Sequence, residues 1–244
     1  MKIAICIYGL PRGSKKVWNQ IIKNIVIPLN ADIYVHTWRG IVGGSTHHGT
    51  DSSTFKPISS LAKFWLKNPN IEIKSFKVEE QKASRIKTME TRWGKVYVSH
   101  QHNTWKTITQ SCNGLDTSQY DWICFTRFDA LVESKLNNIE QIIAKYDLFH
   151  FGHKNQDDIR YDAEDVLFFL KSNFLELIPI IKKKIDKNYY AKNDIYNVIL
   201  HEAQLLGLRT GWAGKYDLKL AKIYRPFFKN IFEKIKKRIK LLIR

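Results

Sequence analysis

Three stretches near the start decide the fold: Lys2–Tyr8 reads KIAICIY, Gly9–Ser14 reads GLPRGS, and Asp32–Thr37 reads DIYVHT. The first is an apolar run of strand length, rich in β-branched isoleucine, which marks a buried strand. Glycine, proline and serine make the second a turn, with Ser14 placed to cap a helix. Val17, Ile21, Ile22, Ile25 and Val26 then recur at helical spacing up to Pro28, and the third stretch is another strand. Strand, turn, helix and strand within 37 residues define a β–α–β unit, and therefore a parallel sheet flanked by helices.

The same alternation continues outward. Gly40–Pro57 (GIVGGSTHHGTDSSTFKP) is a long loop directly after the second strand, the kind of connection that carries function. Helices are expected over Ile58–Leu66, Tyr97–Cys112, Leu136–Ala144, Ser172 to about Ile185, and Asp194–Leu206, the last stopped by Gly207. Strands are expected over Ile71–Phe76, Asp121–Thr126 (DWICFT), Asp147–Phe151, Asp165–Leu170 (DVLFFL) and Leu208–Trp212. The expected class is α/β: one domain over residues 1–225 with a mostly parallel central sheet, then a helix opened by Pro226 and running over 226–244.

Composition narrows the function classes. With 44% hydrophobic and 26% charged residues, the 244-residue chain falls outside the disordered and fibrous classes. No apolar run approaches the ~18–20 residues of a membrane-spanning helix. The apolar run in MKIAICIYGLPRG is too short for a secretory signal, and Cys6, Cys112 and Cys124 lack metal-ligand spacing, so the expectation is a cytosolic protein with buried free thiols. A net charge of +17 calls for an anionic partner. Much of that excess sits in Lys229–Arg244, with seven basic residues and one acid, Glu233. There Phe228, Ile231, Phe232, Ile235, Ile239 and Leu242 share one helical stripe and the cations fill the other face. That is the pattern of a helix lying on an anionic membrane, where each basic residue contributes about 1 kcal/mol. Nucleic acid is not the expected partner, because no nucleic-acid-binding module accompanies the charge.

Several groups can carry chemistry. Gly9 and Gly13 allow close backbone approach in the first turn, and Arg12 can hold a phosphate at two points. His36 and Trp38 (HTWR, 36–39) end the second strand on the same sheet edge; Trp38 offers a stacking surface and His36 a phosphate or acceptor contact. In YDWICFTRFD (120–129) an apolar strand delivers Arg127 and Asp129 two residues apart, hence on one face. Acids cluster at Asp157, Asp158, Asp162, Glu164 and Asp165, with Asp165 nearest the following strand. Glu202, in the helix Asp194–Leu206, is a candidate general base. The turn matches neither a dinucleotide fingerprint nor a Walker loop.

These residues together resemble bacterial and viral polysaccharide or lipopolysaccharide glycosyltransferases, which share a start like "KIALxxSGxxR", then "PLNADVFIHTW", then "YDxVIRxRxD". The similarity covers the first 40 residues and 120–129, is fainter at Asp157–Phe169 and around Glu202, and is absent from 41–95. It implies a GT-A-like, Rossmann-type nucleotide-binding domain and transfer of a sugar from a nucleoside-diphosphate sugar. By the same resemblance Gly9, Arg12, His36, Trp38, Arg127 and Asp129 face the donor, and Asp165 or Glu202 acts as base or acceptor contact. The Asp-x-Asp metal motif of GT-A enzymes is incomplete, since Arg127 and Leu131 stand two residues either side of Asp129. Asp129 alone can bind Mn²⁺ or Mg²⁺ with help from water and the diphosphate, or Arg12, Arg127 and lysines can replace the metal. The implied partners are a glycan or lipid-linked acceptor and, through 226–244, the inner face of a membrane, with the enzyme peripheral and cytoplasmic. Two rivals remain. The turn GLPRGSKKVW is similar to a sulfotransferase donor loop, with Lys15-Lys16 replacing its hydroxyl pair, and the charge also suits a non-enzymatic basic binding module.

Overall fold

The computed structural model describes residues 1–39, 57–69, 71–80, 88–91, 94–152, 166–187, 198–216, 218 and 222–223. The loop 40–56, the acidic stretch 153–165 and the basic segment 226–244 lie outside the described residues.

β1 (Ile3–Gly9) is buried along its length, as the unbroken apolar run requires of a central strand. Ser14 caps α1 (Lys15–Ile21), its Oγ accepting from Val17 N at 3.3 Å. The helix does not stop at Pro28. It passes through a π-helical turn (Ile22–Val26) into a last stretch, α2 (Ile27–Leu29), and ends on Asn30 in the left-handed conformation. Asn24, buried in the π turn, donates to Val132 O at 2.6 Å and accepts from Leu136 N on its own carbonyl at 2.8 Å. The extra residue in the turn therefore anchors the helix to a distant segment.

β2 (Asp32–Trp38), α3 (Ile58–Leu66) and β3 (Ile73–Glu79) follow. Then come a hairpin that the sequence reading did not anticipate, β4 (Thr88–Thr91) with β5 (Gly94–Tyr97), and α4 (Val98–Ser111). β6 (Trp122–Arg127), β7 (Ala130–Leu131), α5 (Ile139–Ile143), β8 (Leu148–His150) and β9 (Leu167–Lys171) come next. The helix expected from Ser172 begins as a short 3₁₀ turn, and α6 proper spans Leu177–Asp186. α7 (Val198–Leu205), β10 (Thr210–Trp212) and β11 (Lys222–Ile223) complete the described elements, with β11 antiparallel to β7.

The sheet has seven strands in the order β10-β8-β9-β6-β1-β2-β3. All its pairings are parallel except those of β9, which runs antiparallel to both neighbours. The class is α/β with a mostly parallel sheet. Strand alternation sends Ile3, Ile5 and Ile7 to one face, against Trp18, Ile21, Leu61 and Trp65 of the helices there. Ala4, Cys6 and Tyr8 go to the other, against Trp105 and Ile108 of α4 and the apolar side of α6 and α7. The three cysteines are free and buried, and burial raises the thiol of Cys112 to about 12 and pushes Cys6 and Cys124 up as well. No described helix is long and apolar enough to cross a membrane.

Candidate active site

β1 and β6 lie side by side in register, Tyr8 opposite Arg127, so both chains leave the sheet at the same level. In a parallel sheet the crevice beyond the carboxyl ends is where ligands bind, because divergent connections open a gap there. A cleft lies at this point. Tyr8, Gly9, Leu10 and Arg12 line it from β1 and its turn, Trp38 from the end of β2, Arg127 and Asp129 from the end of β6, and Asn103, Thr104 and Thr107 from α4.

The first turn is tightly held. Gly9 has φ +106. Its N–H donates to Thr107 Oγ1 at 3.2 Å, and its carbonyl accepts from Thr37 Oγ1 at 2.9 Å. Arg12 N bonds back to Leu10 O at 2.7 Å, and Arg12 O accepts from Trp18 Nε1 at 2.9 Å. Gly13 has φ +95, and a Cβ there would meet Phe128 O at 2.8 Å and Trp18 Nε1 at 3.0 Å. Glycine is thus needed at position 13 for both conformation and space.

Arg127 and Asp129 form a two-point ion pair on the adjacent wall, Nε to Oδ1 at 2.9 Å and Nη2 to Oδ2 at 3.0 Å. Arg12 is half-buried beside them. Burial lowers its guanidinium to about 10, the Asp129 carboxylate opposes that shift, and Arg127 reinforces it. Arg12 therefore stays cationic at neutral pH. Two arginines and one carboxylate leave these three groups with net positive charge, which suits an anion.

His36 lies beneath the cleft rather than on its wall. The residue is fully buried, with Nδ1 2.7 Å from Thr107 Oγ1 and Nε2 3.5 Å from Glu79 Oε1. Burial lowers it to about 4 despite the opposing pull of Glu79, so the ring is neutral at neutral pH. Trp38 packs edge-on against His36, with ring centroids 5.1 Å apart. Lys106 Nζ sits 5.0 Å from the Trp38 ring centroid and 3.6 Å from Glu79 Oε2. The tryptophan thus lines the cleft with a cation already over its ring.

Gly9, Arg12, Trp38, Arg127 and Asp129 line one cleft. Glu202 is not with them. It is buried in α7, and its Oε2 accepts from Lys184 Nζ of α6 at 2.6 Å. Asp165 lies outside the described residues, but its chain neighbour Val166 accepts from Arg127 N at 3.2 Å. Asn103, Thr104 and Thr107 were missed by sequence reasoning. Short neutral side chains in a helix of mixed polarity look like surface, and only their spacing along one helix face hinted at a shared direction.

The divalent-ion expectation can be tested on this geometry. Both oxygens of Asp129 are engaged by Arg127, and among the described residues no group of three or more His, Cys, Asp or Glu could hold a metal ion. The described part of the site does not fit a metal.

No protein-family model and no curated protein matches the chain. Solved structures of low similarity do. A protein named as a nucleotide-diphospho-sugar transferase from Desulfovibrio desulfuricans G20 matches 87% of this chain and 81% of its own, at 12% identity and a TM-score of 0.41. A glycosyltransferase involved in glycosylation of the major capsid of PBCV-1 matches 87% and 82%, at 12% identity and 0.45. A protein named as a glucose-1-phosphate thymidylyltransferase from Bacillus anthracis, in complex with sucrose, matches 87% and 85%, at 12% identity and 0.47.

Proposed function

We propose that this chain is a glycosyltransferase that moves a sugar from a nucleoside-diphosphate sugar to a hydroxyl of a cell-surface glycan or lipid-linked acceptor. One observation carries the reading: two guanidiniums, Arg12 and Arg127, line a single cleft beyond the carboxyl ends of adjacent parallel strands. In such a reaction the acceptor oxygen bonds to the anomeric carbon, the bond from that carbon to the diphosphate breaks, and the electron pair leaves with the diphosphate. Fixed cations at the leaving group stabilise the charge as it develops. Arg12 and Arg127 supply them, with Asp129 holding Arg127 in orientation.

A base must take the acceptor proton in an inverting reaction. Of the two candidate carboxylates we favour Asp165, because its chain neighbour Val166 is hydrogen-bonded through the backbone to Arg127, whose side chain lines the cleft, whereas Glu202 meets Lys184 between two helices and does not line it. The segment 226–244, with its basic face, would hold a cytoplasmic enzyme on the inner face of an anionic membrane, where lipid-linked acceptors lie. Removal of Lys229–Arg244 should then abolish vesicle binding and leave turnover on a short soluble acceptor intact.

A thermal-shift panel of UDP, GDP, CMP and TDP, with and without Mn²⁺ or Mg²⁺, and of adenosine 3′,5′-bisphosphate, tests the donor class. A ligand at a hundred times its dissociation constant adds about 2.7 kcal/mol, which is readily detected. Stabilisation by a nucleoside diphosphate is the expected result. Stabilisation by the bisphosphate alone would establish the sulfotransferase reading, and no stabilisation by any nucleotide would contradict both.

A further inference from the structure

The cleft has two chemically different walls. Arg12 and Arg127 face it from the strand ends, and α4 faces it with Asn103, Thr104 and Thr107. Asn103 and Thr104 lie four and three residues before Thr107, the spacings that bring helical side chains onto a common face. Thr107 is 1% exposed and fully employed: its hydroxyl accepts from Gly9 N, meets His36 Nδ1 at 2.7 Å and reaches His36 O at 3.3 Å. It fastens α4 to the turn that carries Arg12. Asn103 and Thr104 lie one helical turn before it and are half-buried. Among the described residues no side chain hydrogen-bonds to either of theirs. They are therefore neutral donors and acceptors, held on a helix and lining a cleft whose opposite wall carries the two guanidiniums.

Resting on the proposed function, we infer that Asn103 and Thr104 are specificity-determining residues that bind the uncharged, hydroxyl-bearing part of the ligand whose diphosphate lies at Arg12 and Arg127. The amide of Asn103 both donates and accepts, which matches a pair of neighbouring hydroxyls, and the Thr104 hydroxyl can do either. Among the described residues the α4 side chains that line the cleft, Asn103, Thr104 and Thr107, are all uncharged, and the cation of that helix near the cleft, Lys106, is engaged over the Trp38 ring and by Glu79. The chemistry assigned is therefore a neutral hydroxylated group, either the nucleoside ribose or a neutral hexose. The anchoring by Thr107 matters because recognition by neutral hydrogen bonds requires the donors to be fixed before the ligand arrives.

Calorimetric titration of the full chain with inorganic pyrophosphate, the nucleoside diphosphates, UDP-glucose and UDP-glucuronate tests this, using Asn103→Ala and Thr104→Val. Both positions are half-buried on a helix surface, and circular dichroism checks that each variant folds. The expected result is pyrophosphate affinity within about twofold of wild type and nucleotide affinity weakened about tenfold. Weakening already seen with the free nucleoside diphosphate assigns the wall to the ribose, and weakening confined to UDP-glucose assigns it to the sugar; either outcome supports the inference. If wild type binds nucleotides and both variants bind every ligand equally well, or lose pyrophosphate in parallel, the inference is overturned while the proposed function stands. Preference of wild type for UDP-glucuronate over UDP-glucose also overturns the neutral-group assignment. If wild type binds no nucleotide, the proposed function itself fails and this inference falls with it.

Discussion

Arg127 and Asp129, two residues apart at the end of β6, close on each other through two parallel hydrogen bonds of 2.9 and 3.0 Å. The side chains are only 14% and 5% exposed, so the pair is largely out of water. Neutralising Asp129 weakens two charge-assisted hydrogen bonds to the guanidinium. Asp129→Asn should destabilise the fold by roughly 1.5–3 kcal/mol in urea unfolding. A loss below about 1 kcal/mol would show that the pair does not hold the wall together.

The same pairing has a consequence for divalent ions. With both Asp129 oxygens taken, diphosphate affinity should come from the arginines and change less than about twofold when EDTA replaces Mn²⁺ in a titration. A collapse of affinity in EDTA would mean that Asp129 releases Arg127 for a metal, or that ligands come from outside the described residues.

The first turn separates two kinds of glycine. Gly9→Ala meets nothing within 4 Å and pays only for its positive φ, about 1–2 kcal/mol. Gly13→Ala adds a steric conflict with Phe128 O and Trp18 on top of the φ penalty, and should cost roughly 2–4 kcal/mol. Denaturant midpoints rank the two variants; equal midpoints would mean that the turn does not seat against Phe128 as described.

Glu202 and Lys184 give a test of the base assignment. Lys184→Ala removes a charge-assisted hydrogen bond to the buried Glu202 carboxylate and should cost about 1.5–3 kcal/mol, with nucleotide binding unchanged at temperatures where the variant is folded. Glu202→Gln should leave kcat within a few-fold of wild type, and Asp165→Asn should lower kcat by about 10²–10⁴-fold. The reverse pattern would move the base to α7.

Acid should unfold the protein through its buried histidines. Burial lowers both His36 and His150 to about 4, against 6.5 in an unfolded chain. Between those values the unfolded state holds more protons than the native state. Stability is therefore lost as pH falls from about 6.5 towards 4, by about 1.4 kcal/mol per pH unit for each histidine. His150→Gln should flatten the profile by that slope. Profiles that run parallel would show that His150 titrates normally in the fold.

Much of the frame was legible from local pattern. KIAICIY and DWICFT read as buried strands from their length and apolar content, and both lie in the central sheet; that β1 and β6 are parallel neighbours with their ends on one edge came only from their pairing. Strand alternation suggested that Arg127 and Asp129 share a face, but β6 ends at Arg127 and the turn at Phe128–Asp129 is what folds the carboxylate back onto the guanidinium. The passage of the first helix through Pro28 was not legible, because it depends on a π turn anchored by Asn24 to residues more than a hundred positions away. The α4 wall was hidden for a similar reason: Asn103 and Thr104 acquire meaning only once Thr107 is seen bound to Gly9. The helix pattern around Glu202 was compatible with a site, but which neighbour meets that carboxylate is decided by the packing of α6 on α7.

The central claim is that the cleft between the first turn and the end of β6 holds a donor diphosphate. A crystal structure of the chain soaked with the stabilising nucleoside diphosphate tests it most directly. The account predicts diphosphate oxygens within hydrogen-bonding distance of the Arg12 and Arg127 guanidiniums, with the nucleoside or sugar end against α4. A diphosphate bound elsewhere on the sheet edge, touching neither arginine, would contradict it.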